Sequence, residues 1–106
     1  MKIFIAHSLG LTSKAIKHAE ALEAEGYETY VPGRDTPQHL CAKEIYKRNV
    51  EAIKEADEVH VIWDGTSQGT LFDLGAAYAL GKPILIVYVK MRTWHSFLLE
   101  HVGEML

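Results

Sequence analysis

Four short apolar runs alternate with helical patterns along the chain, and this alternation constrains the fold more than any other feature. The apolar runs cover residues 2–6, 27–31, 59–63 and 84–89. A helical pattern follows each run, and the last of these patterns begins after Thr93. Strands that alternate with helices predict a parallel sheet with helices packed on both of its faces.

Right-handed crossover connections leave few possible strand orders for such a sheet. We predict an α/β fold, a flavodoxin-like or Rossmann-like three-layer sandwich, whose parallel sheet has about four to five strands in the order 2-1-3-4. In that order the first and third strands are neighbours, and the chain reverses direction between them. Ligands bind at such a point, outside the carboxyl ends of the strands. We therefore expect loops 7–10 and 64–70 to meet at a binding site.

Capping signals set the expected limits of the helices. Thr12 is expected to cap the first helix, and Pro37 to lie in the first turn of the second, behind Thr36. The third helix is expected to open at Thr70, and Thr93 is expected to cap the last helix.

Length and composition bound the class of protein. The chain of 106 residues allows one domain, which we place at residues 1–106, and its 48% of apolar residues is enough for a core. A formal net charge of -3, without any basic run, argues against nucleic-acid binding. The single cysteine, Cys41, excludes an internal disulfide and favours a cytoplasmic location. No apolar run approaches the ~20 residues that cross a bilayer, so we expect no membrane partner.

Residues that can carry chemistry concentrate between the third and fourth apolar runs. The third run ends on Asp64-Gly65, and a short polar loop leads to the helix that carries Asp73 in its first turn. Asp64 either faces the ligand crevice or is a turn residue, because Asp-Gly is a common turn pair. Asp73 either faces the crevice or caps its own helix together with Thr70. If the two carboxylates lie close together, they repel, and we expect the pKa of one to rise.

The loop before this helix also offers hydrogen-bond donors to a ligand. Ser67, Gly69 and Thr70 lie at a helix N-terminus, which binds phosphate and other anions readily. The loop lacks the lysine of a Walker motif, and its glycines do not match the dinucleotide fingerprint.

Three further polar residues are candidates for the site. His7 and Ser8 follow the first strand and either contact a ligand or form an ordinary polar loop. Asn49 interrupts the apolar stripe of the second helix, so its amide must find partners. The histidines are not clustered at metal-ligand spacing, and we expect no metal site.

Two segments together resemble the nucleoside 2-deoxyribosyltransferase-like family. They read AKEIYKRNVEAIKEADEVHVIWDG and GTLFDLGAAYALGKP. The family's usual pattern is a helix ending in Ala-Asp, an apolar strand ending in Asp-Gly, then Gly-Thr, Glu-x-Gly-x-Ala and Gly-Lys-Pro. The N-terminal IFIAHS is similar to the family's first strand, so the resemblance covers most of residues 1–89.

The resemblance implies a function. Members of the family cleave or exchange the N-glycosidic bond of deoxynucleosides or their monophosphates, through a carboxylate that attacks the anomeric carbon. That position is Asp73 here, and Asp64 is the strand-end aspartate that helps to hold the base. The expected ligand is a nucleoside or nucleotide, with no cofactor and no nucleic-acid partner. The substrate-binding residues are expected to be His7, Ser8, Asn49, Gly65, Ser67, Gly69 and Thr70. A homodimer or higher homo-oligomer is expected, with Trp94 and Phe97 contributing exposed aromatic surface.

Four positions depart from the family pattern. Asp73 replaces the usual glutamate, which withdraws the carboxylate by about one methylene, and a shift of ~1 Å can cost ~100-fold in rate. Gln68 and Asn49 stand where acidic residues are frequent, and His7 replaces a glycine. An alternative function therefore stays open, namely a non-catalytic nucleotide-binding or regulatory module of the same fold.

Overall fold

The computed structural model describes the backbone of residues 1–106 and every side chain except those of Phe97 and Leu98. Five parallel strands form one sheet in the order β2-β1-β3-β4-β5. The strands are β1 (Lys2–His7), β2 (Glu28–Tyr30), β3 (Glu58–Trp63), β4 (Ile84–Val89) and β5 (Glu104–Met105). The predicted fold class and the order 2-1-3-4 are confirmed, and β5 adds a short edge strand beside β4.

Five helices connect and cover the strands. They are α1 (Thr12–Ala24), α2 (Pro32–Asp35), α3 (Ala42–Glu55), α4 (Gln68–Ala79) and α5 (Trp94–Val102), with a 3-10 turn at Leu9–Leu11 before α1. Buried side chains of α3, α4 and α5 pack on one face of the sheet, and those of α1 pack on the other. No helix in the described part of the chain is long and apolar enough to cross a membrane.

Both faces of the central strands are buried, which explains their continuous apolar runs. On β1, Phe4 and Ala6 belong to the core beneath α3 and α4, while Ile3 and Ile5 belong to the core beneath α1. His60 in the middle of β3 is polar but also buried, and it hydrogen-bonds to His18 of α1 and to Glu58.

Three of the four expected helix limits are wrong. Thr12 lies inside α1 and donates its hydroxyl proton to the carbonyl of Leu9. The second helical pattern begins at Ala42 rather than at Pro37, because hydrogen bonds from the Gln38 amide to the carbonyls of Pro32 and Thr36 hold a turn there.

The other two limits concern α4 and α5, which follow β3 and β4. α4 begins at Gln68, two residues before Thr70, with Ser67 as its N-cap residue. Thr93 caps α5 as predicted, in a reciprocal capping box with Ser96.

Candidate active site

A cleft of about 390 Å³ opens at the carboxyl ends of β1 and β3, between α3 and α4. Its wall is formed by the loop after β1, by α3 and by the first turns of α4. The residues that line it are His7, Ser8, Leu9, Gly10, Pro32, Gln38, Ala42, Ile45, Tyr46, Asn49, Ser67, Gly69, Thr70 and Asp73. Seven of the nine residues expected at the site therefore meet in one cleft, and Asp64 and Gly65 are outside its lining.

Two neighbouring strand ends bring the loops of the cleft together. The Ser8 hydroxyl oxygen accepts a hydrogen bond of 2.9 Å from the backbone N–H of Asp64. The Ser8 N–H in turn donates to the carbonyl of Ile62 at 3.1 Å. The loop after β1 is thus joined to the end of β3, as the strand order predicts.

Asp73 is the buried carboxylate of the cleft. Its side chain is 5% exposed, and its Oδ1 has no hydrogen-bond partner. Burial raises the pKa of Asp73 to about 7. We expected one carboxyl pKa to rise through repulsion by Asp64, but the cause is the loss of water around Asp73.

Thr70 accompanies Asp73 one turn earlier on α4. Thr70 Oγ1 and Asp73 Oδ1 are the buried side-chain polar atoms without a partner among the residues whose side chains are described. Neither side chain caps the helix, because no hydrogen bond joins them or ties them to the N-terminal N–H groups of α4. Such atoms are rare in native proteins and call for a ligand or water as partner.

Asp64 directs its carboxylate at its own loop. Oδ1 accepts hydrogen bonds from the N–H groups of Thr66 and Ser67 at 2.8 and 2.7 Å, and Oδ2 accepts one from the Ser67 hydroxyl at 2.7 Å. Burial raises the pKa of Asp64, but the hydrogen bonds from Ser67 and Thr66 together outweigh it and lower the pKa. Asp64 therefore shapes the loop that leads into α4, which is the turn interpretation of this residue.

Gly65 faces away from the cleft. Its φ of 92° lies in the left-handed region, and a Cβ there would lie 2.1 Å from the carbonyl oxygen of Met91. Thr93 Oγ1 donates to the Gly65 carbonyl at 2.7 Å. Gly65 therefore joins the loop after β3 to the start of α5 instead of offering its backbone to the cleft.

His7 uses both ring nitrogens within the protein. Nε2 accepts the N–H of Gly33 at 3.0 Å, so the ring proton is on Nδ1, which donates to the carbonyl of Ser8 at 2.9 Å. Burial lowers the pKa of His7 and opposes the charged form. His7 is thus a neutral wall of the cleft, and protonation would break its bond to Gly33.

The side-chain oxygen of Asn49 is hydrogen-bonded within the protein, as expected for an amide in an apolar stripe. Its Oδ1 accepts a hydrogen bond of 2.8 Å from the Thr36 hydroxyl, which also hydrogen-bonds to the hydroxyl of Tyr30. Sequence reasoning missed this network and missed Tyr46, which lines the cleft one turn before Asn49 on α3. The signal was present, because residues three apart share a helix face.

Within the residues whose side chains the structure describes, no group of three or more His, Cys, Asp or Glu is arranged to hold a metal.

Comparison with known proteins identifies the family. The model of the nucleoside 2-deoxyribosyltransferase family matches residues 4–105, so this chain belongs to that family. The match confirms the resemblance found in the sequence and, with it, the predicted class of function, which is action on the N-glycosidic bond of nucleosides. No curated protein sequence matches the chain significantly.

Two solved structures share the fold. The chain is similar to the CMP N-glycosidase BcmB of Clostridium botulinum, with a TM-score of 0.67, 23% identity, and coverage of 100% of this chain and 86% of that one. It is also similar to the 2-deoxyribosyltransferase of Bacillus psychrosaccharolyticus, with a TM-score of 0.71, 21% identity, and coverage of 100% and 85%. At these identities the likeness shows the fold alone.

Proposed function

We propose that this protein cleaves or exchanges the N-glycosidic bond of a deoxynucleoside or its monophosphate, with Asp73 as the nucleophile. The observation that carries the proposal is a buried carboxylate in the cleft whose Oδ1 has no partner in the protein. The two structural neighbours, a CMP N-glycosidase and a 2-deoxyribosyltransferase, support a nucleotide and a nucleoside substrate respectively.

The reaction is a double displacement. A carboxylate oxygen of Asp73 bonds to the anomeric carbon, the glycosidic C–N bond breaks, and the base leaves with the bonding electron pair and gains a proton from water. Water then releases the sugar from the glycosyl ester, or a second base does so in exchange. A pKa of about 7 places both protonation states of Asp73 within reach near neutral pH, and the ionised form is the nucleophile.

The other expected site residues receive roles from their contacts. Ser67, Gly69 and Thr70 bind the polar parts of the ligand at the N-terminus of α4, and Asn49 does so from α3. Asp64 acts on the base side through the loop that its carboxylate holds in place.

His7, Ser8 and Gly65 complete the proposed substrate-binding set. His7 and Ser8 form the wall of the cleft that faces the ligand. Gly65 contributes indirectly, by allowing the close packing of its loop on Met91.

The test is a search for free base. The protein is incubated with the four deoxynucleosides and their 5′-monophosphates, and the products are separated by chromatography, with Asp73→Asn as the control. Base released by the wild type alone supports the enzyme. Binding of a ligand without release of its base supports the alternative, a non-catalytic nucleotide-binding module. This alternative is kept because the Asp73 side chain is shorter than the glutamate usual in the family.

We also propose a cytoplasmic homodimer or higher homo-oligomer. An apolar groove of about 310 Å³ between α4 and α5 is lined by Trp63, Leu71, Leu74, Gly75, Tyr78, His95, Leu99 and Val102. Trp94, expected at the interface, is the first residue of α5 and is 69% exposed. The side chain of Phe97, also expected there, lies outside the described residues. Light scattering at micromolar concentration tests the assembly, and a monomer contradicts it.

A further inference from the structure

We propose that α3 presents two hydrogen-bond donors to the ligand, the Asn49 amide and the Tyr46 hydroxyl, which select a base that offers hydrogen-bond acceptors to this wall. The acceptors are carbonyl oxygens or unprotonated ring nitrogens. Both residues line the cleft, and they share one helix face because they are three positions apart. This inference rests on the proposed function and names what determines the specificity of the same site.

The orientation of Asn49 follows from the network behind it. The Thr36 hydroxyl proton is given to Asn49 Oδ1, so the contact between Thr36 and Tyr30 must be a donation from the Tyr30 hydroxyl. In this chain of three groups the Asn49 oxygen is the final acceptor. The Nδ2 protons remain, and no described residue accepts a hydrogen bond from them. Since Asn49 lines the cleft, they are available to a ligand.

Tyr46 is held by packing instead of hydrogen bonds. Its ring lies against Phe72, with 4.7 Å between the ring centroids. Its hydroxyl lies close to Gly69 at the start of α4, because a Cβ on Gly69 would be 2.9 Å from the hydroxyl oxygen. No described residue hydrogen-bonds to this hydroxyl, and Tyr46 lines the cleft, so its proton is available to a ligand there.

An aspartate in place of Asn49 tests the donor role directly, because it replaces the N–H donors with an acceptor oxygen. Asn49→Asp keeps the shape and the bond from Thr36, but places a carboxylate oxygen opposite the acceptors of the ligand. Unpaired or opposed polar groups in a buried site cost more than the hydrogen bond that they replace.

The test compares ligand affinities in matched variants. Dissociation constants for the four deoxynucleosides and their 5′-monophosphates are measured by calorimetry for the wild type, Asn49→Asp and Tyr46→Phe. Tyr27→Phe is the control, because it removes a phenol hydroxyl just before β2, at the amino ends of the strands, whereas the cleft lies at the carboxyl ends. We expect about tenfold weaker binding for Tyr46→Phe, a larger loss for Asn49→Asp, and no change for the control.

A second arm identifies the acceptors. A deaza analogue of the best-bound deoxynucleoside, with one ring nitrogen replaced by C–H, should lose affinity for the wild type and lose little for the variant that lacks its donor. Equal affinities of wild type, Asn49→Asp and Tyr46→Phe overturn the inference while the proposed function stands. Binding by none of the proteins overturns both. Binding that follows the expected order without base release supports the donor pair and removes only the catalytic proposal.

Discussion

Asp73 and Thr70 lie one turn apart on α4, and each buries a polar atom that hydrogen-bonds neither to the other residue nor to any other described part of the protein. A capping pair would have used these atoms on the helix N-terminus. Their exposed fractions are 5% and 3%, so bulk water does not satisfy them either. The two atoms are therefore available to hydrogen-bond to a ligand or a water molecule in the cleft.

Replacement of the Asp73 carboxylate should separate chemistry from folding. Asp73→Asn should lower base release by more than about 100-fold, because an amide is a poor nucleophile, while ligand binding persists. Asp73→Glu should raise activity, because it restores about one methylene of reach. Chromatographic assay of free base measures both. If Asp73→Asn equals an inactive wild type and Asp73→Ala mainly lowers the melting temperature, Asp73 has a structural role and the catalytic proposal is wrong.

The stability of the protein should fall as pH rises through the titration of Asp73. Its pKa is about 7 in the folded protein and 3.8 in the unfolded reference, so the folded state binds more protons between these values. The free energy of unfolding then decreases by up to about 4 kcal/mol over that range. Asp73→Asn removes this titration and should be the more stable protein above about pH 7.

Urea denaturation at several pH values measures the free energy of unfolding of the wild type and of Asp73→Asn. The difference between the two proteins isolates the titration of Asp73, because the other titrating groups contribute equally to both. Glu20→Gln, which changes an exposed side chain on α1, controls for the loss of one carboxylate. A difference in stability that stays constant between about pH 4 and pH 8 would show that Asp73 is ionised throughout.

The rate of base release should depend on the same proton. Because the ionised form of Asp73 is the nucleophile, kcat/KM should rise with pH and level off above the pKa of about 7. Initial rates over a series of buffers give the profile. In Asp73→Glu the midpoint should change, since a longer side chain meets a different environment, and an unchanged midpoint would assign the titration to another group.

The close approach of His7 to α2 should make Gly33 intolerant of a side chain. A Cβ on Gly33 would lie 2.8 Å from both His7 Cε1 and Thr12 Cγ2. Gly33→Ala should therefore cost about 1–3 kcal/mol of stability and weaken ligand binding. Gly75→Ala is the matched control, because Gly75 is an exposed residue of α4 with nothing within 4 Å of its Cβ position, and the change should stabilise the protein by roughly 0.5–1 kcal/mol. Equal effects in thermal unfolding would contradict the steric argument.

The amino-acid sequence by itself determined the sheet and the position of the cleft. The spacing of apolar residues and the order of strands and helices can be read directly from the sequence. Buried strands that alternate with helices then allow few parallel topologies. Ser8 and Asp64 are 56 positions apart, yet the strand order was enough to predict that their loops meet. The family resemblance followed in the same way, because its motifs lie on that one strand–loop–helix unit.

Only the tertiary structure decided how each side chain is used. Asp64 and Asp73 looked alike as acids beside one loop, but one accepts hydrogen bonds from that loop and the other is buried without them. His7 was expected to face a ligand, and its partner at Gly33 lies 26 positions away. The direction of a carboxylate or an imidazole depends on which donors reach it through space, and the pKa depends on how much water is excluded. Neither quantity is encoded in local spacing, so chain order could place these groups at the cleft but could not orient them.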